Sequence, residues 1–130
     1  MDVLLVDDHP IIHETLRAMV RSLRPAVDFH SQFDLDAGLS EARRLEELGL
    51  VFLDLGLPGC SGLDALVKFR AAVPHARVVV ISADEDRERV AAALGEGAAG
   101  YVPKTLRPKA MVDALRTILD GGVYTPPARI

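Results

Sequence analysis

Hydrophobic positions along this chain follow two rhythms. Val3-Leu4-Leu5-Val6, Leu50-Val51-Phe52-Leu53 and Val78-Val79-Val80-Ile81 are unbroken apolar runs of strand length. A run that is apolar at every position fits a strand buried on both faces, as in a parallel sheet. Val27-Asp28-Phe29 and Gly100-Tyr101-Val102 predict two shorter strands. Between them the spacing is helical. Ile12, Leu16, Met19, Val20 and Leu23 follow Pro10, which suits the first turn of a helix because its missing N–H costs nothing there. Leu35, Leu39, Ala42 and Leu45 mark a second helix, with Glu41, Arg43, Arg44 and Glu46 largely on its wet side. Leu63, Leu66, Val67 and the region of Phe69 predict a third, starting near Gly62 after the Ser61-Gly62 loop and ended by Pro74. Asp84 to Asp86 bring acids to the start of a fourth helix, where they complement its dipole. That helix is rich in alanine and glycine around Val90 and Leu94, so weak packing and mobility are expected of it. Met111, Val112, Leu115, Ile118 and Leu119 form the face of a last helix, stopped by Gly121-Gly122.

Strands that alternate with helices in this way predict an α/β fold, a (βα)5 doubly wound parallel sheet covered on both faces. Right-handed crossovers leave few topologies, and at this size the flavodoxin-like strand order 2-1-3-4-5 is the natural one. The length of 130 residues suits one domain. The expected boundaries are 1–121 for the domain and 122–130 for a linker, because Pro126-Pro127 stiffens an extended spacer.

Composition narrows the function classes. Hydrophobic residues make up 49% and charged residues 26%, with no membrane-length apolar run and no signal-peptide pattern at Met1-Asp2-Val3. The single cysteine, Cys60, excludes an internal disulfide framework. A cytoplasmic location is the expectation. The net charge of −4, from 15 basic and 19 acidic residues, argues against nucleic-acid binding by this chain alone.

The chemistry lies where the strands end. Leu50 to Leu53 run into Asp54, and Val3 to Val6 run into Asp7-Asp8. Ligands of open α/β sheets bind at the carboxyl edge of the strands, and the order 2-1-3-4-5 places strands one and three side by side. Asp7, Asp8 and Asp54 should therefore meet there, with Ser82 and Lys104 on the strands beyond. Carboxylates so close repel one another, and a divalent cation relieves that. All-oxygen ligands favour Mg²⁺ or Ca²⁺, and Mg²⁺ tolerates few carboxylates and several waters. One Mg²⁺ and one Lys⁺ balance three carboxylates. That balance suits a site where Asp54 attacks phosphorus in line while cations neutralise the phosphoryl oxygens.

The acidic pair in Leu5-Val6-Asp7-Asp8, the run Leu53-Asp54-Leu55-Gly56-Leu57-Pro58-Gly59, Ile81-Ser82-Ala83 and Gly100-Tyr101-Val102-Pro103-Lys104 together resemble the receiver domain of a two-component response regulator. Asp-Asp-His-Pro at 7–10 and Ala98-Ala99-Gly100-Tyr101 through Lys104-Thr105 look most like the NarL/LuxR-type subfamily. The resemblance implies that Asp54 accepts phosphate from a sensor histidine kinase. Asp8, Asp54 and the backbone carbonyl of Gly56 would ligate Mg²⁺ directly, and Asp7 through water. Lys104 would hold the phosphoryl group. Ser82 and Tyr101 would form the switch pair, Ser82 moving toward the phosphate while Tyr101 turns inward. Helix four and strand five would shift, and a phosphorylation-dependent homodimer is allowed. The only catalysis expected is phosphoryl transfer to Asp54 and hydrolysis from it. Regulators of this type continue from a similar linker into a helix-turn-helix domain, so a transcriptional output through a domain outside this chain is expected. Many receivers carry proline directly after the lysine, where this chain has Thr105.

Each of these residues alone has a blander role. Asp54 alone caps a loop, acids at strand ends often cap helices, Ser82 alone is a structural hydroxyl, Tyr101 a half-buried aromatic and Lys104 a solvated charge. Only their common order and spacing outweigh these. His9 and His13, four apart, suggest a zinc pair, but no further ligand stands out. His30 and His75 read as surface residues, and Cys60 as filler. Haloacid-dehalogenase-like phosphatases have a similar nucleophile but carry a second acid two residues later, where this chain has Gly56. A docking module indifferent to phosphate would normally lack Asp54, Asp8 or Lys104. Flavin binding suits the fold, but three acids repel a flavin phosphate.

Overall fold

A strand apolar at every position needs cover on both sides, and here helices supply it. The computed structural model describes residues 1–60 and 63–127. Among these residues five strands alternate with five helices: β1 (Asp2–Val6), α1 (Pro10–Leu23), β2 (Asp28–Gln32), α2 (Leu35–Arg44), β3 (Leu48–Asp54), α3 (Asp64–Ala72), β4 (Arg77–Ser82), α4 (Arg87–Gly95), β5 (Tyr101–Pro103) and α5 (Pro108–Leu119). The sheet is parallel throughout, in the order β2-β1-β3-β4-β5 that the alternation predicts.

The two faces divide the strand residues by parity. Val3, Leu5, Leu50, Phe52, Val79, Ile81 and Val102 meet Leu16 and Val20 of α1 and Leu115 and Ile118 of α5. Leu4, Val6, Val51, Leu53, Val78, Val80 and Tyr101 meet Leu39 of α2, Leu66 and Phe69 of α3 and Ala93 of α4. Phe52 and Phe69 are fully buried on opposite faces. Truncating either to alanine costs about 3–5 kcal/mol.

The strands extend past their apolar runs. β2 pairs with β1 alone, so it needs no continuous apolar sequence and takes in Ser31 and Gln32. β3 starts two residues early, at Leu48, through its pairing with Asp2. The expected start of α3 at Gly62, and the Ser61-Gly62 loop, lie outside the described residues; the helix is assigned from Asp64. α4 buries Ala93 within its span, which agrees with the little apolar surface its sequence offers. His30, expected at the surface, is instead half-buried, its ring 2.9 Å from Asp2 and 3.5 Å from Glu41.

Residues 122–127 make contacts with the domain. Gly121, at φ +93°, turns the chain away from α5 in a conformation that favours glycine. Residues 122–127 then run beside β5. The Tyr101 N–H donates to the Tyr124 carbonyl at 2.8 Å, and the Tyr124 side chain packs against the α1/α5 face. Arg77 donates to the carbonyls of Ile118, at 2.7 Å, and of Gly122. Thr125, Pro126 and Pro127 line a groove with Val90, Ala91 and Leu94 of α4. β5 is an edge strand whose outward amides need partners, and the tail supplies one. A side chain at Gly100 would place its Cβ 3.1 Å from the Tyr124 carbonyl oxygen. No helix among the described residues is long and apolar enough to cross a membrane.

Candidate functional site

Pairing register brings the acids together. Val6 lies opposite Leu53, and Asp54 opposite Ile81, so β1, β3 and β4 end at one level. Asp7 follows β1 directly and Asp54 closes β3. Both are almost fully buried, while Asp8 is half-buried at the mouth. One ligand atom from each of Asp7, Asp8, His9 and Asp54 lies within 4.8 Å of all the others.

Backbone contacts hold these side chains in place. The Gly56 N–H donates to Asp54 Oδ1 at 2.9 Å, which orients the carboxylate. A Cβ at position 56 would sit 3.3 Å from that oxygen, so glycine keeps this approach open. The His9 N–H donates to Asp7 Oδ1 at 2.9 Å. His13, buried in α1, brings its Nε2 to 2.7 Å from the Asp7 carbonyl and its ring against Phe33. The two histidines therefore do not form the zinc pair their spacing suggests: His9 faces the acids, and His13 clasps the main chain behind them.

Lys104 follows β5, and its ammonium reaches across to lie 2.8 Å from Asp7 Oδ2 and 3.2 Å from Asp54 Oδ2. At these distances the ammonium ion-pairs with both buried oxygens, and each oxygen has a second lone pair to offer. Burial pushes the Asp54 pKa above its usual value, and the Asp7 charge adds to this, against the pull of the Gly56 N–H and Lys104. Burial raises Asp7 too, but Lys104 and the His9 N–H outweigh it and hold Asp7 below its usual value. Buried carboxylate oxygens with spare lone pairs, an all-oxygen acid set and mutual repulsion fit a hard divalent cation such as Mg²⁺.

The other two expected residues sit one step back. Ser82 ends β4, and its hydroxyl accepts from the Asp84 N–H at 3.0 Å. Tyr101 is fully buried, and its hydroxyl donates to the Asp84 carbonyl at 2.5 Å. The ring that the resemblance expects to turn inward is already inward here. Burial raises the pKa of its phenol, so it stays a donor. Ser82, Asp84 and Tyr101 thus form one hydrogen-bonded chain from the β4 end to β5. His9, weighed from the sequence as half of a zinc pair with His13, instead joins the acids; its place directly after Asp8 was the available signal.

Comparison with known proteins shows the family. The family model for the response regulator receiver domain matches residues 3–116. A glycerol metabolism activator of Pseudomonas putida is 36% identical over 125 residues, 96% of this chain and 57% of that protein. The nitrate/nitrite response regulator NarL of Escherichia coli is 32% identical, over 92% of this chain and 55% of its own length. A solved LuxR-family DNA-binding response regulator from Silicibacter pomeroyi superposes with a TM-score of 0.84 at 26% identity, over 99% of both chains. This chain therefore spans little more than half the length of the curated relatives it matches. Fold, site and comparisons converge: the chain belongs to the response regulator receiver domains, signalling modules rather than classical enzymes, with NarL/LuxR-type regulators among its relatives.

Proposed function

We propose that Asp54 is the phosphoacceptor of a switch that controls transcription through a helix-turn-helix domain beyond residues 1–121, with 122–130 as the connection. The observation that carries this reading is the state of the Asp54 carboxylate. One oxygen is fixed by the Gly56 N–H, while the other is buried, with no hydrogen-bond partner beyond its pairing with Lys104 at 3.2 Å. Such an oxygen is oriented for attack, and a cation stands beside it. The P–N bond of a kinase phosphohistidine breaks as a P–O bond to Asp54 forms, and the freed imidazole takes a proton. Asp8, Asp54 and the Gly56 carbonyl would hold Mg²⁺, and Asp7 would hold it through water. The bound Mg²⁺ supplies charge neutralisation of the phosphoryl oxygens. Lys104 binds the arriving phosphoryl group. Ser82 moves toward it to donate a further hydrogen bond, and that movement weakens the contact it now accepts from the Asp84 N–H. That change reaches Tyr101 through the Asp84 carbonyl and biases α4 and β5.

Mass spectrometry after treatment with acetyl phosphate and Mg²⁺ tests this. The protein is expected to gain one phosphate, and Asp54→Asn none. Stoichiometric labelling of a folded Asp54→Asn protein would overturn the assignment.

A further inference from the structure

His9 occupies a position that the acidic cluster alone does not explain. Its Nδ1 lies 2.8 Å from Asp7 Oδ1, 3.2 Å from Asp8 Oδ1 and 3.9 Å from Asp54 Oδ2. The Lys104 ammonium is 3.1 Å from the same nitrogen. These neighbours make opposed demands. A nitrogen facing carboxylate oxygens serves them by carrying a proton, and a nitrogen facing an ammonium serves it with a lone pair. One atom offers only one of these. A metal ion among the acids would use that lone pair and the carboxylate oxygens together, leaving Lys104 to its ion pairs with Asp7 Oδ2 and Asp54 Oδ2. The 3.2 Å between Nδ1 and Asp8 Oδ1 suits this, since adjacent ligands around a six-coordinate divalent cation with bonds of ~2.1 Å lie about 3 Å apart, while Asp54 Oδ2 stands farther off at 3.9 Å.

The backbone builds His9 into this place. Its own N–H is bound to Asp7 Oδ1, which fixes the start of the side chain over the pocket. The imidazole is 63% exposed, with Nδ1 directed at the acids. Asp7 Oδ2 and Asp54 Oδ2 supply an independent sign of a ligand: both belong to buried carboxylates and have no hydrogen-bond partner beyond their pairing with Lys104. The second histidine does not join the cluster: its Nε2 lies 2.7 Å from the Asp7 carbonyl.

We propose that His9 Nδ1 is a direct ligand of the cation held by Asp8 and Asp54, and that this nitrogen tunes the site toward borderline divalent ions such as Mn²⁺ relative to Mg²⁺. The inference rests on the cation-assisted reading above. Imidazole suits transition ions, whereas Mg²⁺ prefers oxygen and water, so one nitrogen in place of one oxygen changes selectivity more than it changes charge.

Pulsed electron paramagnetic resonance of Mn²⁺ bound to the protein tests this, with competition by Mg²⁺ measured alongside. The wild type is expected to show the hyperfine coupling of a directly bound nitrogen. His9→Ala and His9→Gln are expected to lose it, and the preference for Mn²⁺ over Mg²⁺ is expected to fall roughly tenfold. Mn²⁺ bound without nitrogen coupling in the wild type overturns the role of His9 and leaves the phosphoacceptor reading intact. Coupling that persists in His9→Ala overturns it as well. Failure of the wild type to bind either ion overturns both readings.

Discussion

Asp7 and Asp54 share one pocket and one lysine, yet their pKa values move in opposite directions. The difference lies in who faces them: Asp7 has both Lys104 and the His9 N–H, while Asp54 feels the charge of Asp7. Asp54 binds its proton more tightly folded than unfolded, so it favours folding at low pH, and that contribution is lost as pH rises through its raised value. Asp7 is the reverse: its contribution is present above the ordinary 3.8 and is lost as pH falls through its lowered value. In chelator at pH 7, Asp54→Asn is therefore expected to raise the melting temperature, by a gain that shrinks as pH falls toward 4. Asp7→Asn should do the opposite, since it leaves Lys104 and His9 facing a neutral amide, at a cost of about 1–3 kcal/mol. Thermal melts of both variants across that range check the pair, and a shift of the same sign in each would contradict this account. Lys104→Ala is expected to label at Asp54 more slowly and to leave α4 and β5 unresponsive. Identical chemical-shift changes there, in wild type and variant with a phosphate mimic, would refute the role of Lys104.

The elements that answer the site are those with least holding them. α4 buries Ala93 and lends the half-buried Val90 and Leu94, whereas α1 and α5 bury several large side chains each. A helix so lightly packed is the one a small shift at Ser82 and Tyr101 moves most easily. Hydrogen exchange with and without a phosphate mimic is expected to change first in α4 and β5, and a change limited to the residues around Asp54 would rule this out. The tail meets the same strand from outside. Gly100→Ala pushes a Cβ to 3.1 Å from the Tyr124 carbonyl oxygen, far from the acids. The expected result is faster exchange of the Tyr101 amide and a loss of about 1 kcal/mol, seen as a melting temperature lower by a few degrees. Unchanged protection of that amide would show that the tail contact is not holding β5.

For the whole molecule, charge decides what this chain binds by itself. With 15 basic and 19 acidic residues its net charge is −4, which disfavours attraction to phosphate backbones. No shift of duplex DNA is expected in a gel at low salt, where electrostatic binding is strongest. Tight binding under those conditions would overturn the charge argument and place a DNA surface within these residues. The relatives extend well past the part that this chain matches, and the proposed transcriptional output belongs to that remainder. The route to it passes the segment 122–127, which is bonded to β5 and lies along α4.

Sequence alone determined the parts that rest on periodicity and adjacency. Unbroken apolar runs require two-sided cover, so the parallel sheet, the alternation of helices and the strand order followed from pattern. Asp7, Asp8, Asp54 and Lys104 were legible because each lies at or just past the end of a strand, and a parallel sheet delivers all its strand ends to one edge. What tertiary structure decided were contacts between residues with no local signature. Asp28–Gln32 form a strand because β1 offers one edge to pair with, not because the segment is apolar. The histidines four apart part company because α1 begins at Pro10, leaving His9 in the loop above the acids and turning His13 behind them. Residues 122–127 read as spacer from their prolines, yet they pack, since β5 has an open edge that only the finished sheet reveals.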